Sequence, residues 1–534
     1  MKHLCRYCIA TLFAVWLGNA HALDATALQN LAMGDNDARI TAIETLVAAG
    51  DVAALPVLQA LQDGALQATP TGRLLIVTEA GVTDAVTNQP LAHAPEDASR
   101  ITINNRVRRA LEAALAAFKL FSSDSAKRLE AAQQLAEGDP VLLPLVKKAL
   151  ASERNPTVHN ALELAHSGME LKSDDPQQRL AAVQTLGNSA QEATKNRLLV
   201  LLEKDGAGQF AEPDAKVRAA AEKAIAAIEQ RLKVAEYAGH VFTGISLGSI
   251  LLLAALGLAI VYGLMGVINM AHGELLMIGA YATYVVQNLF KTYLPQHLDL
   301  YLIAAVPVAF GVAALVGMAL ERGVIRHLYG RPLETLLATW GISLILIQLM
   351  RTMFGAQNVE VANPSWMTGG VTVLGSLVLP YNRIVIIVFA MLVLCLVWLA
   401  LTHTRLGLHV RAVTQNRSMA DCMGIPTGRT DMLAFGLGAG VAGLGGCAMS
   451  QIGNVGPELG QGYIVDSFMV VVLGGVGQIA GTVYAALGLG VMNKFLEPYW
   501  GAVLAKIMLL VFIILFIQKR PQGLFAAKGR TVEG

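Results

Sequence analysis

The apolar positions of this chain fall into two regimes. Up to about residue 238 they recur at helical spacing among polar residues; beyond it they run together in long stretches. In the first regime a unit repeats. Arg39, Ala42 and Leu46 stand at the same spacing as Arg128, Ala131 and Leu135, as Arg179, Ala182 and Leu186, and as Arg218, Ala221 and Ile225. Arg108, Leu111 and Leu115 make a weaker copy. An alanine and an aliphatic residue four apart share one helix face. Asp35, Asp37, Asp124, Asp174, Asp175 and Asp214 stand ahead of these units and suit N-caps. The spacing predicts helical hairpins of the HEAT type, which bury their faces only against their neighbours and build a curved solenoid. Residues 73–86 (RLLIVTEAGVTDAV) break the pattern and read as two short strands turning at Ala80-Gly81.

In the second regime, residues 244–265, 274–290, 301–320, 334–350, 384–401, 432–450 and 501–517 are apolar stretches. Each is long enough to cross a bilayer, which takes about 20 residues per helix with some spread. An eighth stretch, 466–495, is interrupted by Gly474, Gly475, Gly477 and Gly481, and reads as a re-entrant segment or as two short spans. The expected fold class is all-α: a polytopic membrane helix bundle with broken helices, preceded by a soluble HEAT-like helical-repeat domain.

Charge orients these elements. Lys2 and Arg6, an apolar core at 7–18 and Asn19-Ala20-His21-Ala22 form a secretory signal peptide pattern, with a first transmembrane helix as the alternative. The expected domains are a signal peptide 1–22, an exported repeat domain 23–238, a membrane domain 239–520 and a tail 521–534. Starting outside and counting spans, Arg322, Arg326 and Arg331, then Arg405, Arg411, Arg417 and Arg429, then Lys519, Arg520, Lys528 and Arg530 all fall on the cytoplasmic side, where basic loops are retained. The repeat domain is then periplasmic and the C-terminus cytoplasmic, in an inner membrane, with lipid around the spans. Overall charge is nearly balanced, 40 basic against 39 acidic residues, which argues against nucleic-acid binding.

Chemistry is sparse. Cys5 and Cys8 lie in the leader and Cys395, Cys422 and Cys447 in or beside spans, without metal-site spacing, and an exported first domain has no disulfide to lean on. His93, His159 and His166 are scattered in the repeat domain, where nothing resembles a catalytic constellation, and no cofactor is expected. No P-loop pattern occurs, so nucleotide is not bound in that manner. A concave repeat surface usually binds another protein; a passive structural domain is the alternative.

Two features carry candidate function. Polar residues at membrane depth are costly and suggest function. Asn269, His272 and Glu274 stand together at the glycine-marked break 266–273, and Gln348, Asp466 and Asn493 are the others. The second break, with Gly474, Gly475 and Gly477, loosely corresponds to the first, and paired broken helices mark a substrate path. Glu274 capping its helix is the alternative there, and close helix packing is the alternative for Gly436, Gly438, Gly440, Gly443 and Gly445. The other feature is the basic loop 404–429. Residues 413–423 predict one short helix with Val413, Ala420 and Met423 on one face and an Arg417–Asp421 pair at i,i+4, stopped by Pro426. Such a helix can dock into a groove on a soluble partner; a solvated basic loop is the alternative.

RAVTQNRSMADCMGIPTGR followed by FGLGAGVAGLGG resembles the cytoplasmic loop and next helix of branched-chain amino-acid-type ABC permeases. GISLGSILLLAALGLAIVYGLMGVINMAHGELLMIGAY, RPLETLLATWGISLIL, VVVLGGVGQIAGTVYAALGLG and KRPQGLF resemble further landmarks of that family, over about 270 residues. The exported domain, YATYVVQNLF and ANPSWMTGG resemble its urea branch. The resemblance implies a permease subunit, itself no enzyme, forming half of a translocation path for urea. Its implied partners are a second homologous permease, two cytoplasmic ATPases and a periplasmic substrate-binding protein. Arg411, Thr414, Asn416, Arg417, Ala420, Asp421, Met423 and Gly424 would receive the ATPase stroke. A branched-chain amino-acid permease, a membrane-anchored helical-repeat interaction protein and a passive channel are the competing readings.

Overall fold

The computed structural model describes residues 24–48, 54–78, 81–85, 87, 89–91, 95, 97–135, 140–204, 206 and 208–525. The expected signal peptide and most of the expected tail lie outside the described residues. The chain divides into two units after Leu232, a little before the expected 238.

The first unit opens with helices α1 (Ala25–Met33), α2 (Asn36–Ala48) and α3 (Ala54–Gln62). Strands β1 (Leu66–Ala68), β2 (Leu74–Thr78), β3 (Gly81–Asp84), β4 (Pro90–Leu91) and β5 (Ser99–Arg100) follow. They form an antiparallel sheet of order β4-β3-β2-β1-β5. The hairpin expected at 73–86 is β2–β3, paired from Leu75↔Asp84 to Thr78↔Gly81. It belongs to a larger sheet than the two-stranded hairpin expected: the short strands on either side lack the alternation that would announce them. Then come α4 (Asn105–Lys119), α5 (Ser125–Gln134), α6 (Leu143–Ser152), α7 (Pro156–Glu170), α8 (Pro176–Leu186) and α9 (Glu192–Leu201).

The repeated residues have repeated jobs. Ala42, Leu46, Ala131, Leu135, Ala182, Leu186, Ala221 and Ile225 are all buried. Asp35, Asp124, Asp175 and Asp214 each accept a backbone N–H of their helix's first turn. The repeated arginine reaches back over its own helix start. Arg128 Nη1 donates to the carbonyls of Ser122 and Ser123, and Arg179 Nη1 to those of Ser173 and Asp174. The same guanidinium grips a carboxylate in the turn two helices further on, Glu153 at 2.7 Å from Arg128 and Glu212 at 2.8 Å from Arg179. Each glutamate also accepts the N–H of the following cap residue, Asn155 or Asp214. One ion pair thus ties together the turns that open two successive repeats, a fork geometry that lysine cannot reproduce.

These bonds make a pH prediction. The Arg128 guanidinium, helped by the Asn155 N–H, holds the Glu153 carboxyl down from the ordinary 4.5 to about 2. Arg179 likewise holds Glu212 below the usual range. A depressed folded-state value means stability that is fully present above the ordinary value and lost as pH falls through it toward about 2. Glu153→Gln should lower the unit's melting temperature by several degrees at pH 7, and the difference should shrink as pH falls below the ordinary value of 4.5 and all but vanish below about 2, as followed by circular dichroism.

The second unit is a helix bundle. Helix α10 is Ala215–Met265, of which the residues from Lys233 belong here. There follow α11 (His272–Tyr293), α12 (Tyr301–Gly323), α13 (Pro332–Phe354), the hairpin β6 (Gly370–Val373) and β7 (Leu377–Pro380), and α14 (Tyr381–His403). Next come α15 (Arg405–Gln415), α16 (Arg417–Cys422), α17 (Thr427–Met449), α18 (Leu459–Gly474) and α19 (Ile479–Lys519). Among the described residues, six helices are long and apolar enough to cross a membrane, within α10, α12, α13, α14, α17 and α19. Helix α11 is more polar at its start yet deeply buried.

The ambiguous stretch 466–495 resolves into two helices. Helix α18 ends at Gly474, and α19 runs on until Gly501, whose φ of 75° bends it just after Pro498. Up to that bend α19 lies antiparallel to α10: Gly244 abuts Val491, Gly248 abuts Leu487, and Gly263 abuts Gly477. The glycines of α17 are packing devices. A Cβ on Gly438 would lie 2.6 Å from the Gly257 oxygen, and one on Gly443 2.7 Å from the Ala309 oxygen. Small residues let backbones approach where lipid supplies no hydrophobic drive between helices.

Candidate functional site

The first break is a descent into the bundle. Helix α10 stops at Met265, and Gly266 turns the chain at φ 64°. Residues 266–271 then run back alongside α10, so that His272 Nε2 lies 3.0 Å from the Ala254 carbonyl oxygen. Ala254 is about 16 Å up the helix from Met265, at 1.5 Å per residue. Helix α11 therefore starts at middle depth. Helix α18 starts at the same place: a Cβ on Gly460 would lie 2.2 Å from the Gly273 oxygen, and one on Gly273 2.5 Å from the Gly460 oxygen. The two helices leave this junction in opposite directions. Gln287 of α11 donates to the Ala362 carbonyl at one end, and Gly474 of α18 abuts Gly481 at the other. Two helix N-termini, with unpaired N–H groups and a positive dipole end, thus meet inside the bundle.

Buried polar side chains gather there. Asn269, His272 and Glu274 are almost wholly buried. Asn269 Oδ1 accepts the Ala271 N–H at 3.0 Å, and the Met270 N–H donates to Thr339 Oγ1 at 3.1 Å. Glu274 Oε1 accepts from Ser343 Oγ at 2.8 Å. Thr335, Thr339 and Ser343 form a buried stripe along α13 that faces the break. This stripe was missed in the sequence, where hydroxyls spaced by four in an otherwise apolar helix were its signal. Three atoms of the break residues are buried without a protein partner: Asn269 Nδ2, His272 Nδ1 and Glu274 Oε2. Buried polar atoms are normally paired, so this junction holds hydrogen-bonding capacity that the described residues do not use. Glu274 sits in the first turn of α11, but its carboxylate is spent on Ser343 and not on a capping bond.

The other expected path residues lie elsewhere. Gln348 is exposed on the outer face of α13. Gly474, Gly475 and Gly477 stand at the end of the bundle where α10 finishes, so the partner of the first break is the start of α18 and not the second break. The second break is closed by the chain's own 520–525 segment. The Leu524 N–H donates to the Leu473 oxygen at 2.8 Å and the Phe525 N–H to the Gly474 oxygen at 3.3 Å. The Phe525 ring stacks on Tyr484 at 5.7 Å. Ending the chain at Arg520 uncovers both carbonyls and should lower the melting temperature in detergent by several degrees; an unchanged melt would remove this strap from the fold's stabilising contacts. Asp466 is paired with Lys506 at 2.9 Å. Sequence reasoning overlooked that lysine, although a charge inside the last apolar stretch was its signal.

The basic loop is also rebuilt. The single helix expected at 413–423 is two, α15 and α16, separated by Asn416, whose φ of −153° is extended and whose Oδ1 caps α16 through the Met419 N–H. Arg417 does not pair with Asp421; it reaches the wholly buried Asp431 in the second turn of α17. Its guanidinium also covers the Tyr329 ring at 4.9 Å, and Tyr329 donates to Glu321 at 2.8 Å. Local i,i+4 geometry lost to a buried charge that needed a partner. Val413 and Ala420 pack with Ala434, whereas Met423, expected on that face, is exposed. Thr414 is half-buried, its hydroxyl on the Val410 carbonyl. Arg411, Met419, Asp421, Met423 and Gly424 form the outer surface of the loop.

Crossing helices, two helix N-termini meeting at middle depth over buried polar groups and a docked basic loop define a membrane permease. Residues 240–517, more than half of the chain, match the family of branched-chain amino acid transport system permease components, and the chain belongs to that family. It is similar to the high-affinity branched-chain amino acid transport system permease protein BraD of Pseudomonas aeruginosa, with 29% identity over 298 residues, 55% of this chain and 96% of BraD. LivH of Escherichia coli, of the same description, is 28% identical over 293 residues, 53% of this chain and 94% of LivH. The fructose import permease protein FruG of Bifidobacterium longum matches a shorter part, 27% identical over 141 residues, 24% of this chain and 42% of FruG. No solved structure matches. The chain is thus a multi-pass inner-membrane permease subunit of an ABC importer of the branched-chain amino-acid type, and its relatives are transport permeases, not enzymes.

Proposed function

We propose that this chain forms half of a translocation path whose cargo passes the junction of α11 and α18. The observation that carries this reading is the set of unpartnered buried atoms on Asn269, His272 and Glu274 beside two helix N-termini. A second homologous permease completes the path against the exposed face of α13, which carries Gln348. Two cytoplasmic ATPases seat on α15 and α16, and a periplasmic binding protein delivers cargo. The basic clusters support an orientation with the loop end in the cytoplasm and the first unit, behind a signal peptide, in the periplasm: Arg417 and Tyr329 are in contact there, and Arg326 lies beside Gly428.

For cargo, the named relatives favour a branched-chain amino acid. The carboxylate of such a solute suits paired helix N-termini. Urea is the second reading. It is favoured by the resemblance of the N-terminal unit, which lies outside the matched residues 240–517, and by neutral hydrogen-bonding groups on Asn269 and His272. The deciding experiment is uptake of trace labelled leucine and labelled urea in cells with and without the chain, each with the other as competitor. Loss of leucine uptake alone establishes the amino-acid reading, loss of urea uptake alone the urea reading, and loss of neither overturns both.

A further inference from the structure

The first unit holds a groove of about 1150 Å³ that has no part in the membrane path. One wall is α4, whose Arg109, Glu112, Ala113, Ala116 and Lys119 follow one helix face. Gln59 and Gln62 of α3 line it too, as do Lys148 of α6 and Phe121. Phe121 is 44% exposed, with the Lys148 ammonium 5.9 Å from its ring centre.

Charge pairing distinguishes this groove from its surroundings. Arg106, on the same helix, is paired with Asp37 at 2.7 Å, and Lys147, next to Lys148, reaches Glu170 at 3.7 Å. Among the described residues, Arg109, Lys119 and Lys148 take part in no ion pair, although a carboxylate, Glu112, lies between the first two. Three cations against one acid leave the groove net positive. The two alanines between the charges leave a shallow floor on which a backbone can lie close, and the glutamine amides offer both donors and acceptors to it.

We infer that this groove docks an acidic polypeptide segment of a partner protein. Spacing favours a polypeptide over a small anion. Arg109 and Lys119 are ten positions apart on α4, about 15 Å along its axis, which one small anion cannot bridge. A helix with glutamates at matching intervals spans that distance and places an apolar stripe against Ala113, Ala116 and Phe121. The inference does not depend on the cargo.

The test uses the full chain in detergent and fluorescence anisotropy of a labelled helical peptide of about twelve residues, with glutamates at i, i+3, i+7 and i+10 on an alanine background. The control peptide carries glutamine at those positions. The expected result is binding of the glutamate peptide at least tenfold tighter than the control, weakening as salt is raised. K119E/K148E should erase the difference, while K216E/K223E, the same charge change on exposed lysines elsewhere in the unit, should retain it. All four lysines are exposed, and melting curves confirm that the variants fold. Equal binding of the two peptides, equal loss in both variants, retention in K119E/K148E, or displacement by inorganic phosphate at the peptide's own concentration would overturn the inference.

Discussion

Replacing Gly460 by valine abolishes transport and leaves little folded membrane unit. The reason is local and steric. The Cβ of any residue at 460 would lie 2.2 Å from the Gly273 oxygen and 2.9 Å from the Glu274 nitrogen, distances that real Cβ atoms do not adopt. Both obstacles are backbone, so no rotamer change relieves them. Valine therefore costs well above the ~1–3 kcal/mol of ordinary overpacking, and it acts where α11 and α18 begin, moving Glu274 off Ser343 and opening the Asn269 turn. Gly462, two positions on, meets nothing within 4 Å. Gly462→Val thus serves as the matched control and should insert and transport nearly normally. Membrane-fraction yield, detergent melting and uptake read the pair. Equal behaviour of the two variants would show that the junction is not as tight as the structure has it.

What the sequence allowed follows from the range of the interactions. The long apolar stretches, the helix breaks at Gly266 and Gly474 and the turn chemistry of Asp124 and Asp175 are set by residues within a few positions of each other, and hydropathy or spacing reads them directly. The repeated arginine was legible as a pattern but not as a mechanism. Its partner glutamates, Glu153 and Glu212, lie 25 and 33 positions on, in turns that a helix-period search passes over. Misplacements arose where a distant partner decided the outcome. Gly474 and Gly475 looked like open helix ends until residues 520–525 covered them, and the true neighbour of the first break, Gly460, sits in the unremarkable string ELGQGY. Arg417 likewise looked paired with Asp421 because a helix template assumes continuity, and Asn416 interrupts it.

Arg417→Ala should stop transport while leaving the protein in the membrane. Arg417 ties α16 to the bundle through Asp431 and through the face of the Tyr329 ring. A force applied to the exposed Met419, Asp421 and Met423 surface reaches the N-terminal part of α17 through this contact, and α17 packs through Gly438 on Gly257 of α10, the helix on whose Ala254 carbonyl His272 rests. Removing the guanidinium also leaves the Asp431 carboxylate buried and unpaired. Breaking a buried pair costs ~3–5 kcal/mol, and a figure of about 2 is apt here because Arg417 is 44% exposed and partly screened by solvent. The two effects separate in a cycle. Asp431→Asn keeps the shape and removes the charge, so it should be the milder stability change. The double variant Arg417→Ala/Asp431→Asn should regain most of the melting temperature lost in Arg417→Ala, because no buried charge is left alone, yet it should still fail to transport, because the tie between α16 and α17 is still gone. Recovery of uptake together with stability in the double variant would show that Arg417 serves only to neutralise Asp431, and would place the coupling contact elsewhere on the loop.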